Sequence, residues 1–380
     1  MLLRVKKGKS FPVGSNGHTN TETQPVKFGF KQGAEEFPLM CVVAVAYPCN
    51  ALCPHCPYTN SNIRKEFSDA PWIDPVVFRK IADECGKYGA FIRITGGGEP
   101  LLHKNLIEMV EYAKSVGAKI GIITNGSKFT EENTDRLLKC GTDMIEFSAD
   151  AADSKTYDIV RKGLNFDILV RNVKRAVKRR NELKSSTKIV VSVVNQKTIN
   201  IDEVKAFWEP LVDNMIIRKY LTWGTHTRLT GEGSADATPY LDTGKEPCPF
   251  PFERLNIDTR GEIIVCGYDI SSRTKFGNVK DKTIHDIWLG PQFTEWRAKH
   301  LAGRGEDIPL CKECPDWKYR SWTHNYWKVV KGAEEKRQER LATEDMEGMV
   351  DESIDESHVA HDLESPENQV MIPKTTPSSK

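Results

Sequence analysis

Apolar, β-branched runs recur along this chain and alternate with stretches of helical period. The runs are MCVVAVAYP (40–48), FIRITG (91–96), AKIGIITN (118–125), MIEFSAD (144–150), KIVVSVVN (188–195) and MIIRKYL (215–221), and each predicts a strand. Asp74 followed by Pro75 opens a helix with Val77, Ile81 and Cys85 on one face, closed by Gly86 or Gly89. Leu106, Val110 and Ala113 mark a second helix that stops at Gly117, and a third runs from Thr130 past Leu137 and Leu138 to Gly141. A fourth begins near Asn165 and carries Phe166, Leu169, Val173 and Val177; the next, from about Asn200, turns Val204, Phe207 and Leu211 inward. Strands alternating with helices imply a parallel sheet with right-handed crossovers. Six such units predict an α/β fold, a partial (β/α)6 TIM-like barrel covering three quarters of a full one, followed by a small C-terminal domain.

The pattern fails at both ends and once in the middle. Residues 1–38 are rich in Gly, Asn, Thr and Lys without sustained period and read as a loosely ordered lead-in to a core over 39–225. The polar stretch HTRLTGEGSADATPYLDTGKEP (226–247) reads as a linker, with a second module over 248–330. Within that module LNIDTRGEIIVCGYD predicts a β-hairpin turning near Arg260 and Gly261. From 331 to 380 aromatic residues are absent and acidic residues outnumber basic ones, which predicts a mostly disordered acidic tail with a helical start near Ala333–Leu341.

Charge narrows the partners. With 54 basic against 53 acidic residues the net charge is +1, so no electrostatic footprint for nucleic acid or an anionic membrane is expected. The N-terminus MLLRVKKGKS lacks an apolar core of signal-peptide length, and the apolar run around Met40 to Tyr47 is about half a membrane span, so a cytoplasmic protein is expected. Ten cysteines in a reducing compartment are rarely disulfides, and the tight spacing of most of them points to metal.

In a parallel α/β barrel, chemistry collects in the loops at the C-terminal ends of the strands. Here those loops hold PCNALCPHCPYT (48–59) with Cys49, Cys53 and Cys56, then GGGEP (96–100), TNG (124–126), SAD (148–150) and Asn195. Three thiolates from one loop can hold three irons of a cubane and leave the fourth open to a chelator. A structural zinc site with a fourth ligand is the alternative, His55 being poorly spaced for it, and a disulfide knot a further one.

The cysteine spacing followed by GGGEP, with the later strand-end motifs, resembles the radical S-adenosylmethionine (SAM) superfamily over about residues 40–225. The resemblance implies a 4Fe-4S cluster on Cys49, Cys53 and Cys56 whose unique iron chelates the methionine end of SAM. Reductive cleavage would then release a 5'-deoxyadenosyl radical that abstracts hydrogen from a substrate. It further implies that Gly96, Gly97, Gly98 and Glu99 meet the methionine amino group, that Thr124, Asn125, Ser148 and Asp150 line the ribose side, that Arg161 pairs with the methionine carboxylate, and that Asn195 belongs to the same rim. His55 departs from the bulky aromatic that many relatives carry before the third cysteine.

Cys248, Cys266, Cys311 and Cys314 form two pairs that read as one closed metal site, zinc or iron–sulfur. They resemble the SPASM and twitch auxiliary-cluster domains of that superfamily, which implies a second 4Fe-4S cluster on all four. With no cysteine after Cys314, a twitch-like single auxiliary cluster is expected. A closed cluster exchanges electrons, so the expected activity is a radical SAM oxidoreductase on a small polar molecule, a sugar or aminocyclitol, with Arg218, Tyr220, Trp223 and His226 as candidate substrate contacts and flavodoxin or ferredoxin as electron donor. Two alternatives remain: a peptide or protein maturase with the same chemistry, and a non-catalytic zinc-stabilised binding protein.

Overall fold

The computed structural model describes residues 29–95, 97–220, 247–312, 314, 333 and 335–338. Nine strands form one sheet in the order β6-β5-β4-β3-β2-β1-β7-β8-β9. They are β1 (Met40–Ala44), β2 (Phe91–Thr95), β3 (Lys119–Thr124), β4 (Met144–Ser148), β5 (Lys188–Asn195), β6 (Asn214–Lys219), β7 (Arg254–Ile257), β8 (Glu262–Ile264) and β9 (Gly277–Asn278). The first six pair in parallel in chain order. Their connections carry α1 (Ser61–Lys65), α2 (Pro75–Tyr88), α3 (Leu106–Ser115), α4 (Glu131–Lys139), α5 (Ser154–Val160), α6 (Phe166–Glu182) and α7 (Ile201–Trp208), and α8 (Ile284–Trp288), α9 (Pro291–Leu301) and α10 (Pro309–Lys312) follow the last strands. This is the mixed α/β, largely parallel architecture of a partial TIM-like barrel.

Local chemistry sets the helix ends where the sequence placed them. Asp74 accepts from Val76 N at the start of α2, and Gly89, at φ 67°, closes it. Thr130, Asn165 and Asn200 cap α4, α6 and α7 with their side chains. Gly86 has a different use: a Cβ there would lie 2.3 Å from Val116 O, so it lets α2 pass close to the end of α3.

Period-two alternation divides the strands between two environments. Cys41, Val43, Ile92, Ile94, Ile120, Ile122, Ile145, Phe147, Ile189 and Val191 turn outward into the large core beneath the helices. Met40, Val42, Phe91, Met144 and Val190 turn inward and form a second core, which Ala333 of the C-terminal helical segment joins. Lys336 Nζ donates to Asn214 Oδ1 at 3.0 Å, and Arg337 Nη2 to Ser185 O at 2.6 Å, so that segment packs against the N-terminal ends of the strands. Above this apolar floor the inward positions are Arg93, Glu146, Ser192 and Arg218, and above them Thr95, Ile123, Ser148, Val194 and Tyr220.

The hairpin predicted in the second module forms as β7 and β8, turning at Gly261 with φ 84°. Its placement was not legible in the sequence: β7 pairs in parallel with β1, Met40 opposite Arg254 and Val43 opposite Ile257, so the sheet runs from the barrel into the module. Most of the 226–247 stretch, the first 28 residues and the tail beyond 338 lie outside the described residues. Among the described residues, no helix is long and apolar enough to cross a membrane.

At the N-terminal side of the sheet, Asp213 Oδ2 accepts from Arg180 Nη1 at 2.5 Å and from Ile189 N at 2.7 Å, both side chains being 2% exposed. Removing the carboxylate leaves a buried guanidinium uncompensated. Asp213→Ala is therefore expected to destabilise the protein by about 3–5 kcal/mol in chemical denaturation, whereas the same change at exposed Asp202 should stay within about 0.5 kcal/mol.

Candidate active site

Three loops at the C-terminal edge of the sheet are tied into one rim. Glu99 N donates to Pro48 O at 2.9 Å, which fastens the loop after β2 to the cysteine loop after β1. The Glu99 carboxylate, 2% exposed, accepts from Thr124 Oγ1 at 2.7 Å, Asn125 N at 2.7 Å and Leu101 N at 3.0 Å, fastening the same loop to the end of β3. Asn125 Nδ2 donates to Asn50 Oδ1 at 3.0 Å, and Asn50 Nδ2 to Ser127 Oγ at 2.8 Å, closing the triangle back to the cysteine loop. Burial pushes the Glu99 carboxyl above its usual range, and the bonds from Asn125, Thr124 and Leu101 oppose that shift.

The glycines of GGGEP serve this closure. A Cβ on Gly98 would lie 2.0 Å from Pro48 O, and one on Gly97 would lie 2.1 Å from Tyr47 Cδ1. Both are required by protein packing as well as by any ligand that approaches the loop.

The cysteine loop wraps a cavity of about 210 Å3 lined by Cys49, Cys53, Cys56, Gly97, Gly98 and Glu99, with Thr124, Asn125, Ser148 and Arg161 around them. Arg64, a residue the sequence did not single out, lines the same cavity and braces the loop by donating through Nε to Tyr58 O at 2.5 Å. Leu52 N donates to Lys162 O at 2.8 Å, which brings the segment after α5 alongside. Burial pushes the Cys49 thiol up to about 12 and the Cys56 thiol up to about 11, and raises Cys53 against the lowering effect of Arg161. Cys49, Cys53 and Cys56 are free thiols, three soft donors that face one space. A cubane, which spreads its ligands over a wider cage, suits that donor set.

Arg161 lines the cavity opposite, and Asp150 backs it. Arg161 Nη2 lies 2.6 Å from Asp150 Oδ2, and Arg161 Nη1 lies 3.8 Å from Cys53 Sγ. Burial works against the Arg161 charge, yet Asp150 and Cys53 carry its pKa above the ordinary value. Asp150, at φ 52°, accepts from Val194 N at 2.6 Å and is fully buried. It lines neither cavity; its carboxylate faces Arg161 and His55 Nε2, the latter at 3.5 Å. Burial lowers His55 to about 4 although Asp150 opposes it, so His55 is neutral at pH 7. Asn195, the last residue of β5, also lines neither cavity.

A second cavity, about 360 Å3, fills the barrel interior and shares His55, Tyr58, Thr95, Gly97, Ile123, Ser148, Arg161 and Val194 with the first. Arg218 and Tyr220 line it; Trp223, His226 and Gly96 lie outside the described residues. Its floor carries a charge array that the sequence reading missed. Fully buried Glu146 lies 2.5 Å from Arg218 Nη2 and 3.7 Å from Arg93 Nη2, on β4, β6 and β2. Burial would raise the Glu146 carboxyl, but Arg218 and Arg93 outweigh it and hold the group below its ordinary value. The signal was present: Arg in FIRIT and Glu in MIEFS stand at inward positions of otherwise apolar strands. β7 and β8 close the near wall with Arg254, Asn256 and Ile264.

In the second module Cys248, Cys266 and Cys314 are buried and Cys311 is half-buried in α10. His300 joins the two pairs, accepting from Cys248 N at 3.4 Å through Nδ1 and lying 3.6 Å from Cys311 Sγ through Nε2. Nothing in its sequence context marked it.

Comparison with known proteins adds two domain matches. The model of the radical SAM superfamily matches residues 45–207, and that of an iron–sulfur cluster-binding domain, SPASM, matches residues 248–315. Among curated proteins, the tungsten-containing aldehyde ferredoxin oxidoreductase cofactor-modifying protein of Pyrococcus furiosus is 25% identical over 308 residues, covering 70% of this chain and 84% of that protein. PqqA peptide cyclase of Xanthomonas campestris pv. campestris is 22% identical over 316 residues, 74% of this chain and 81% of the cyclase. Among solved structures, BtrN in complex with AdoMet and 2-DOIA shares the fold with a TM-score of 0.52 and 20% identity, over 73% of this chain and 93% of that one.

Two substitutions test the rim. Gly98→Ala, which must displace Pro48 O, is expected to destabilise by about 1–3 kcal/mol and to lower the iron retained by the cysteine loop after anaerobic reconstitution. Glu99→Gln turns an amide NH2 toward either Leu101 N or Asn125 N whichever way it is flipped, so one buried donor loses its acceptor. A loss of about 1–3 kcal/mol in denaturation is expected.

Proposed function

Because this chain belongs to the radical SAM superfamily and carries its C-terminal SPASM cluster-binding domain, with 4Fe-4S clusters and SAM as the cofactors those domains imply, we propose that it is a radical enzyme that modifies a peptide or protein substrate. The observation that carries the radical reading is the wall shared by the cysteine cavity and the barrel-interior cavity. When bound, the cluster and SAM together supply a 5'-deoxyadenosyl radical; the chain's residues do the rest.

Cys49, Cys53 and Cys56 would hold the first cluster, and Cys248, Cys266, Cys311 and Cys314 the second. Thr124, Asn125, Gly97, Gly98 and Ser148 present the rim to SAM, with Arg161 oriented by Asp150 from behind. Neutral His55 adds no charge beside the cluster loop. Ile123 and Val194 are the aliphatic members of the shared wall, and Arg218 and Tyr220 line the barrel-interior cavity as substrate contacts. An external one-electron donor, flavodoxin or ferredoxin, completes the system.

The choice of a peptide over a sugar or aminocyclitol rests on relatives matched over four fifths of their length, one of which is a peptide cyclase by name. The small-molecule reading keeps one supporting feature, the four-cysteine complement of the second module.

Anaerobic reconstitution followed by assay for 5'-deoxyadenosine tests the proposal. About eight irons per chain are expected for two cubanes. Cys53→Ala should abolish nucleoside formation, and Cys311→Ala should leave SAM binding intact while blocking turnover of substrate. Incubation with short peptides encoded beside the gene should yield a mass-shifted product; modification of a sugar and of no peptide would reverse the substrate assignment.

A further inference from the structure

His300 is 3% exposed near the end of α9, with Gly305 packed so closely that a Cβ there would lie 3.1 Å from both Cε1 and Nδ1 of the ring. Glycine at 305 leaves the ring the room that a side chain there would take. Cys248 N donates to Nδ1 at 3.4 Å. A neutral imidazole that accepts at one nitrogen carries its proton on the other, so Nε2–H is directed at Cys311 Sγ, 3.6 Å away. One side chain thus reads the backbone of the first cysteine pair and the sulfur of the second.

We propose that His300 is a positioning residue for the auxiliary cluster: Nε2–H donates to the Cys311 thiolate and raises the reduction potential of the cluster. This rests on the reading of Cys248, Cys266, Cys311 and Cys314 as its ligands. One added electron makes the cluster and its sulfurs more negative, so an N–H···S bond stabilises the reduced form more than the oxidised one. The same bond holds Cys311 in register with Cys248 before any metal arrives, since both contacts are made by the protein alone.

The test uses full-length, anaerobically reconstituted protein labelled with 15N-imidazole histidine, examined in the reduced state by electron paramagnetic resonance with hyperfine detection. A weak coupling from one histidine nitrogen is expected on the auxiliary cluster signal. In His300→Phe that coupling should vanish and the one-electron reduction constant should fall about tenfold, which is about 59 mV; His300→Gln, which restores an N–H donor, should recover part of the shift. An intact auxiliary cluster with unchanged potential in His300→Phe overturns the inference, as does the strong coupling of a directly bound nitrogen in the wild type. If the Phe variant fails to fold, His300→Gln, which carries no labelled nitrogen at that position, decides: the coupling must vanish in it. Two clusters without histidine coupling would remove this inference only, whereas a single cluster of about four irons would remove the ligand assignment and the inference with it.

Discussion

The site depends on one buried carboxylate. Glu99 takes two hydrogen bonds from the end of β3 and the turn after it and a third from Leu101 N of its own loop, while its own N–H holds Pro48 at the start of the cysteine loop. Asn50 and Asn125 complete the circuit. Each such bond is worth about 1 kcal/mol net, but together they fix the relative positions of three strand ends that a parallel sheet alone only brings near one another. The clearance at Gly97 and Gly98 follows from the same closure: the loops approach until there is no room for a Cβ.

Below the rim, the inward faces of the strands change character with depth. Met40, Phe91, Met144 and Val190 make an apolar floor, Arg93, Glu146, Ser192 and Arg218 a polar belt, and Thr95, Ile123, Ser148 and Val194 a mixed layer at the level of the shared wall. Burying Glu146 would be costly by itself; two guanidiniums on neighbouring strands offset that cost and keep it ionised.

Much of this was legible in the sequence because it is encoded locally. The six apolar runs became β1 to β6 within a few residues, and Asp74, Thr130, Asn165 and Asn200 capped the helices that follow. The cysteine loop, Glu99, Thr124, Asn125, Ser148 and Arg161 meet at one cavity because strand ends of a parallel sheet share an edge. What the sequence could not reveal depends on contacts between distant segments. Asp150, which the resemblance put on the ribose side, has a left-handed backbone and sets its buried carboxylate against Arg161. The pairing of β7 with β1 and the bridge made by His300 join residues far apart in the chain, and no periodicity announces either.

The central claim is that three thiols at the rim leave one iron open to SAM beside the barrel interior. The most direct measurement is the electron paramagnetic resonance spectrum of the reduced protein as SAM is titrated in, using a Cys311→Ala, Cys314→Ala double variant to remove the second signal. A new spectrum that saturates with SAM, from a cluster lost on Cys49→Ala, is the expected result. A spectrum indifferent to SAM, or a cluster that survives Cys49→Ala, would contradict the account.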